Sequence, residues 1–203
     1  MRESVAAVIP AFEEHFEGRV RWPYLDIKSL VTVGIGCQVD REEFMLLPWI
    51  DEATGAPATA GAIEHAWDTV RSATYLELRG GGSPTFAALT PIRITDAAVD
   101  WLCGSRHRVY DAQLLARFLD AWTQAPASAQ LATLSMAYAM GAGALDGFPR
   151  FCTAFRAADW GSCALECRME DVHNPGLRPR NAANAALFAA AADGGDPDAV
   201  NWQ

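Results

Sequence analysis

Apolar residues recur at helical spacing from the start of the chain. Val5, Ile9, Phe12 and Phe16 predict a helix over residues 3–16, in which Pro10 either kinks the segment or marks its true start near residue 10. The pattern then changes. Up to about residue 39, runs rich in Val, Ile, Tyr and Trp are broken by Gly18, Pro23, Gly34 and Gly36, which predicts a hairpin. A short helix is predicted over 40–50, with Asp40 in the N-cap position. An amphipathic stretch near Ala60–Leu78 predicts another helix, and Gly80-Gly81-Gly82-Ser83-Pro84 reads as a surface loop. It is not a phosphate loop, because no Lys-Ser/Thr follows.

The second half of the chain is helical throughout. Thr95-Asp96 can cap a helix carrying Ala98, Trp101 and Leu102. Leu115, Phe118, Leu119 and Trp122 mark one apolar stripe over 108–122. Ser128 is the predicted cap of a helix from Ala129 to Met140. That helix is apolar on every side and so belongs in the middle of a bundle, with Gly141 and Gly143 ending it. Phe148–Ala157, Trp160–Arg168 and Asn181–Ala192 complete the series, the last as an alanine-rich strong helix former. The sum is an α+β protein.

Composition changes this picture in several ways. At 203 residues with 51% apolar and 20% charged positions, the chain can bury a substantial core and fold as one domain. No apolar run approaches the ~20 residues that span a bilayer, and the N-terminus lacks a basic region followed by an apolar one, so neither a membrane span nor a cleaved signal peptide is expected. The net charge of −9 argues against a nucleic-acid partner. The cysteines Cys37, Cys103, Cys152, Cys163 and Cys167 are odd in number and show no zinc spacing. They read as reduced, mostly buried thiols rather than as disulfides among Cys152, Cys163 and Cys167. His15, His65, His107 and His173 are scattered and read as surface or packing residues.

The candidate chemistry lies where the first helix meets the hairpin. Glu17-Gly18, Tyr24-Leu25-Asp26 and Thr32-Val33-Gly34-Ile35-Gly36 put one carboxyl at a helix end and another in a turn. Glycosidic cleavage uses such a pair, one group to protonate the leaving oxygen and one to handle water. Alone, a Glu-Gly helix end or an Asp in a turn is a common structural device. Together, in residue types and spacing, they resemble the active-site motif of the phage-type lysozymes, best known from the T-even phages. The likeness extends to Met136–Gly141 with Gly147-Phe148 and Phe151, to Trp160 with the Cys163–Arg168 segment, and to Gly176-Leu177-Arg178-Pro179-Arg180-Asn181 with Leu187-Phe188. Residues 9–50 and 95–192 carry it, and 51–94 reads as an insertion.

The resemblance implies a lysozyme-like fold, with a small N-terminal lobe over about 10–60, a helical lobe over about 95–192 and a sugar cleft between them. It implies a muramidase that cuts the β-1,4 bond between N-acetylmuramic acid and N-acetylglucosamine with net inversion and with no metal or cofactor. In that carry-over Glu17 is the general acid, with its proton affinity raised by burial against Phe16. Asp26 and Thr32 hold the water, and Tyr24, Gly34 and Gly36 are scaffold. Arg180, matched by its spacing to Phe188, bridges to Glu17, with Arg178 as runner-up. Cys37 departs from the pattern, since the family commonly has His there. The implied partner is peptidoglycan. The protein would be made in the cytoplasm and act in the periplasm or cell wall, as a phage endolysin or as an antibacterial effector with a cognate immunity protein. The rival is a catalytically silent wall-binding or structural module of the same fold.

Overall fold

The computed structural model describes residues 1–74, 82–200 and 202, without the side chains of 82 and 83. The protein is α+β and mostly helical, with small antiparallel sheets. It divides into two compact units, one of residues 17–103 and one of residues 1–16 with 104–203.

In the sheet-bearing unit, β1 (Val20–Leu25), β2 (Val31–Gly34) and β3 (Cys37–Gln38) form an antiparallel sheet in that order. Tyr24 pairs with Thr32, and Thr32 with Gln38. The ladder is irregular between Val20 and Tyr24, where Pro23 has no N–H to give. Helix α2 (Arg41–Leu46) follows, with the Asp40 side chain accepting from the Glu43 N–H as the sequence predicts. The predicted helix over 40–50 stops early, because Trp49 enters β4 (Trp49–Asp51).

Strand β4 pairs with β5 (Ile92–Ile94), so the 51–94 segment is closed at its base by an antiparallel pair. Between them lie α3 (Ala60–Ser72) and α4 (Gly82–Ala87). Residues 75–78 of the predicted 60–78 helix lie outside the described residues, as do Gly80 and Gly81 of the predicted loop. From Gly82 the chain is helix rather than loop. Phe44, Trp49, Ala66, Val70, Phe86, Ile92 and Ile94 form the core of this unit, and the Trp49 indole N–H donates to the Phe44 carbonyl at 2.7 Å.

The helical unit begins with α1 (Glu3–Glu17), which runs through Pro10. A start near residue 10 is therefore not adopted, since the buried stripe of Val5, Ile9 and Phe12 spans the proline and outweighs its missing N–H. Thr95 Oγ accepts from Ala98 N–H at the head of α5 (Asp96–Phe118), which merges the two helices predicted there. Leu119, at φ 51°, then breaks the chain before α6 (Asp120–Gln124). The predicted 108–122 stripe is thus split: Phe118 and Trp122 are buried, whereas Leu115 and Leu119 are exposed.

Helix α7 (Ala127–Met140) is buried on every side from Ala127 to Ala137. Ser128 does not cap it. Pro126 occupies the cap position, the Ala127 N–H donates to Pro197 O at 2.8 Å, and Ser128 falls inside the first turn. Gly141 ends α7, and a 3-10 helix (Ala142–Gly147), α8 (Pro149–Arg156) and α9 (Trp160–Glu166) follow. Helix α10 (Leu177–Ala192) begins a turn before the predicted Asn181, so Arg178 and Arg180 sit on helix. Phe118, Trp122, Phe151, Phe155 and Phe188 pack beside α7 as the aromatic core.

Candidate functional site

Strand geometry gathers the motif residues on one face. Directly paired residues of neighbouring strands point to the same side, and side chains alternate along each strand. The pairs Tyr24–Thr32 and Thr32–Gln38 therefore share a face, and Asp26 continues the row just past β1. In the turn, Asp26 Oδ1 accepts from the Lys28 and Leu30 N–H groups at 2.8 and 2.9 Å, and Oδ2 accepts from Gln38 Nε2 at 2.8 Å. The carboxylate is thus fixed from three directions. Thr32 is buried, and its hydroxyl donates to Leu30 O at 3.1 Å.

Glu17 is the last residue of α1, because Gly18 takes a left-handed φ of 72°. Its carboxyl lies against Gly36, where a Cβ would stand 3.0 Å from Oε2. Gly36 itself has φ 66°, so both its conformation and the space above it call for glycine. The Glu17 carboxyl therefore reaches the hairpin that carries Asp26 and Thr32. Tyr24 lies among these groups. Its phenol holds its proton well beyond the usual range, first because burial penalises phenolate and then because Glu17, Asp26 and Cys37 are nearby.

One expectation about Glu17 is corrected: it is exposed rather than buried against Phe16. As the final residue of a helix cut short by glycine, it projects its carboxyl toward solvent and the Gly36 backbone. Cys37 is buried beside this turn, with Sγ 3.7 Å from Ile35 O.

The predicted arginines both lie on α10. Arg178 is exposed and its Nε is 3.5 Å from Asp171. Arg180 is buried and pairs with Glu13, one turn before Glu17 on α1. Arg180 Nη1 also donates to Ser135 Oγ at 3.0 Å, and its guanidinium lies 4.6 Å from the centre of the Phe16 ring. On the other Glu13 oxygen sits His107 Nε2, at 3.2 Å, with its ring stacked on Tyr138. Of the two readings given for the histidines, surface or packing, His107 takes the second, as a buried residue packed on Tyr138.

The sequence reading missed this cluster, although two signals mark it. Glu13 falls on the apolar stripe of Ile9, Phe12 and Phe16, and His107 falls on the face of Cys103 and Leu114. A charged or polar residue inside a buried stripe needs a partner.

Among the described residues no three His, Cys, Asp or Glu side chains are grouped to hold a metal ion, and no helix is long and apolar enough to cross a membrane. All five cysteines are buried. Burial pushes the Cys163 thiol up to about 12 and the Cys167 thiol up to about 11. No protein-family model and no curated protein matches the chain.

Proposed function

We propose that the protein is a muramidase of the phage-lysozyme type, cleaving the β-1,4 bond between N-acetylmuramic acid and N-acetylglucosamine in peptidoglycan. The observation that carries this reading is the seating of the Glu17 carboxyl on Gly36, at the hairpin face that holds Tyr24, Asp26 and Thr32. Glu17 gives its proton to the glycosidic oxygen, and the N-acetylglucosamine hydroxyl departs. Asp26, held in place by Gln38 and two backbone N–H groups, takes a proton from the water whose oxygen attacks the muramic acid C1 from the opposite side. Thr32 borders the same face. Exposure suits Glu17 before substrate binds: a sugar covering the carboxyl displaces water and favours its protonated form.

A second reading, a silent wall-binding module, draws on the same Asp26. Its three hydrogen bonds would serve equally well as a turn-forming device. Glu17→Gln separates the two. It keeps size and hydrogen bonding but has no proton to transfer, and general acid catalysis is worth about 10²–10⁴-fold. Turbidity loss of a peptidoglycan suspension should fall by at least that factor with the variant folded, while a silent module would show no turnover to lose.

A further inference from the structure

Four helices of the helical unit converge on one buried carboxylate. Glu13 on α1 is fully buried and pairs with Arg180 from α10, which also bonds Ser135 on α7. His107 from α5 closes the other side. A carboxylate only accepts, so Nε2 of His107 carries the hydrogen between them. Tyr138 stacks on His107 with ring centres 4.6 Å apart, and Phe16 lies under the guanidinium.

Such an arrangement is a poor device for stability alone. Buried ion pairs lose so much hydration that apolar replacements of similar volume often match or exceed them. What a buried pair does supply is a unique geometry, here that of the last turn of α1. Glu13 and Glu17 are four residues apart and therefore share a helix face. Glu13 fixes that face of α1, and Glu17 stands one turn further along it.

We propose that Glu13, clamped by Arg180 and His107, is a positioning residue for Glu17. The proposal rests on the acid role given to Glu17 above. The clamp does two things. It fixes the rotation of the final turn, and it neutralises Glu13, so that Glu17 does not stand one turn above a bare like charge.

The second effect gives a readout that a merely structural role would not move. In Glu13→Gln a negative charge near Glu17 is removed and the Arg180 cation is left without it. Both changes favour ionised Glu17. Carbon-13 NMR titration of the Glu17 carboxyl should therefore move to lower pH by about half a unit or more. The alkaline limb of the lysis profile should move with it, because a general acid works only while protonated. Glu13→Gln/Arg180→Met removes both charges and should bring the titration back, while kcat stays at least about tenfold low because the clamp is gone.

If Glu13→Gln does not fold, His107 serves instead. His107→Leu should lower kcat with KM little changed, and His107→Gln, which can still donate to Glu13, should restore it. A folded Glu13→Gln with unshifted Glu17 titration and full kcat overturns the proposal, as does a folded His107→Leu with wild-type kcat. The NMR titration needs no turnover. A wild-type protein that shows the coupling but no lysis would thus contradict the muramidase reading and leave the coupling standing.

Discussion

Gly36 is where the sequence motif and the structure meet most tightly. Its left-handed backbone costs a side-chain-bearing residue about 1–2 kcal/mol, and a new Cβ would press on the Glu17 carboxyl from 3.0 Å. Gly36→Ala should therefore destabilise the protein by at least that amount in urea unfolding and lower lysis beyond what stability explains. Two asparagines on α10 make an instructive contrast. Asn181 exchanges two hydrogen bonds of 2.9 Å with the Met169 backbone. Asn184 is fully buried, and neither of its amide atoms finds a hydrogen-bond partner among the described residues. Asn181→Ala should cost about 2–3 kcal/mol, because it strands two backbone groups. Asn184→Leu, similar in size and free of polar atoms, should be neutral or stabilising. Paired urea melts of the two variants check the difference.

The elements that could be read from sequence are those whose signal is local. The hairpin is legible in its Val-, Ile-, Tyr- and Trp-rich runs broken by glycines, and Asp40 and Thr95 cap helices as their residue types dictate. Ser128 has the same preference, but Pro126 stands two residues earlier and already enforces the turn into α7. Beyond Phe118 the 108–122 stripe fails because a single residue, Leu119 at φ 51°, resets the helical phase, whereas Leu115 is exposed on α5 itself. The Glu13 cluster was hidden for a different reason. Its members come from α1, α5, α7 and α10, and no spacing within one element encodes a meeting of four.

Capping also makes a pH-dependent contribution. Asp159 caps α9, and hydrogen bonds from the Ser162 N–H and then its hydroxyl hold its carboxyl below the usual carboxylate range. Its contribution is therefore complete above about pH 4, the unfolded value, and is lost as pH falls through the lowered native one. Asp159→Ala should flatten the dependence of stability on pH in that acid window and leave its shape near neutrality unchanged.

For the molecule as a whole, the five cysteines set its reactivity toward thiol reagents. All five are buried, and the two thiols on and beside α9 are pushed well above neutrality by burial. A disulfide-forming thiol reacts as thiolate, so Ellman's reagent should find the native protein nearly silent at neutral pH and titrate five thiols after denaturation in urea. The net charge of −9 matters for encounter. If the target is an anionic wall, as the muramidase reading proposes, repulsion slows encounter, and lysis should rise with moderate salt before it falls, as screening removes the repulsion.

The most direct test of the account is a digest of purified peptidoglycan with product analysis. The muramidase reading predicts soluble muropeptides with N-acetylmuramic acid at the reducing end, identified by mass spectrometry after borohydride reduction, and none from Glu17→Gln. Reducing-end N-acetylglucosamine, cleaved peptide stems, or equal release by wild type and Glu17→Gln would contradict it.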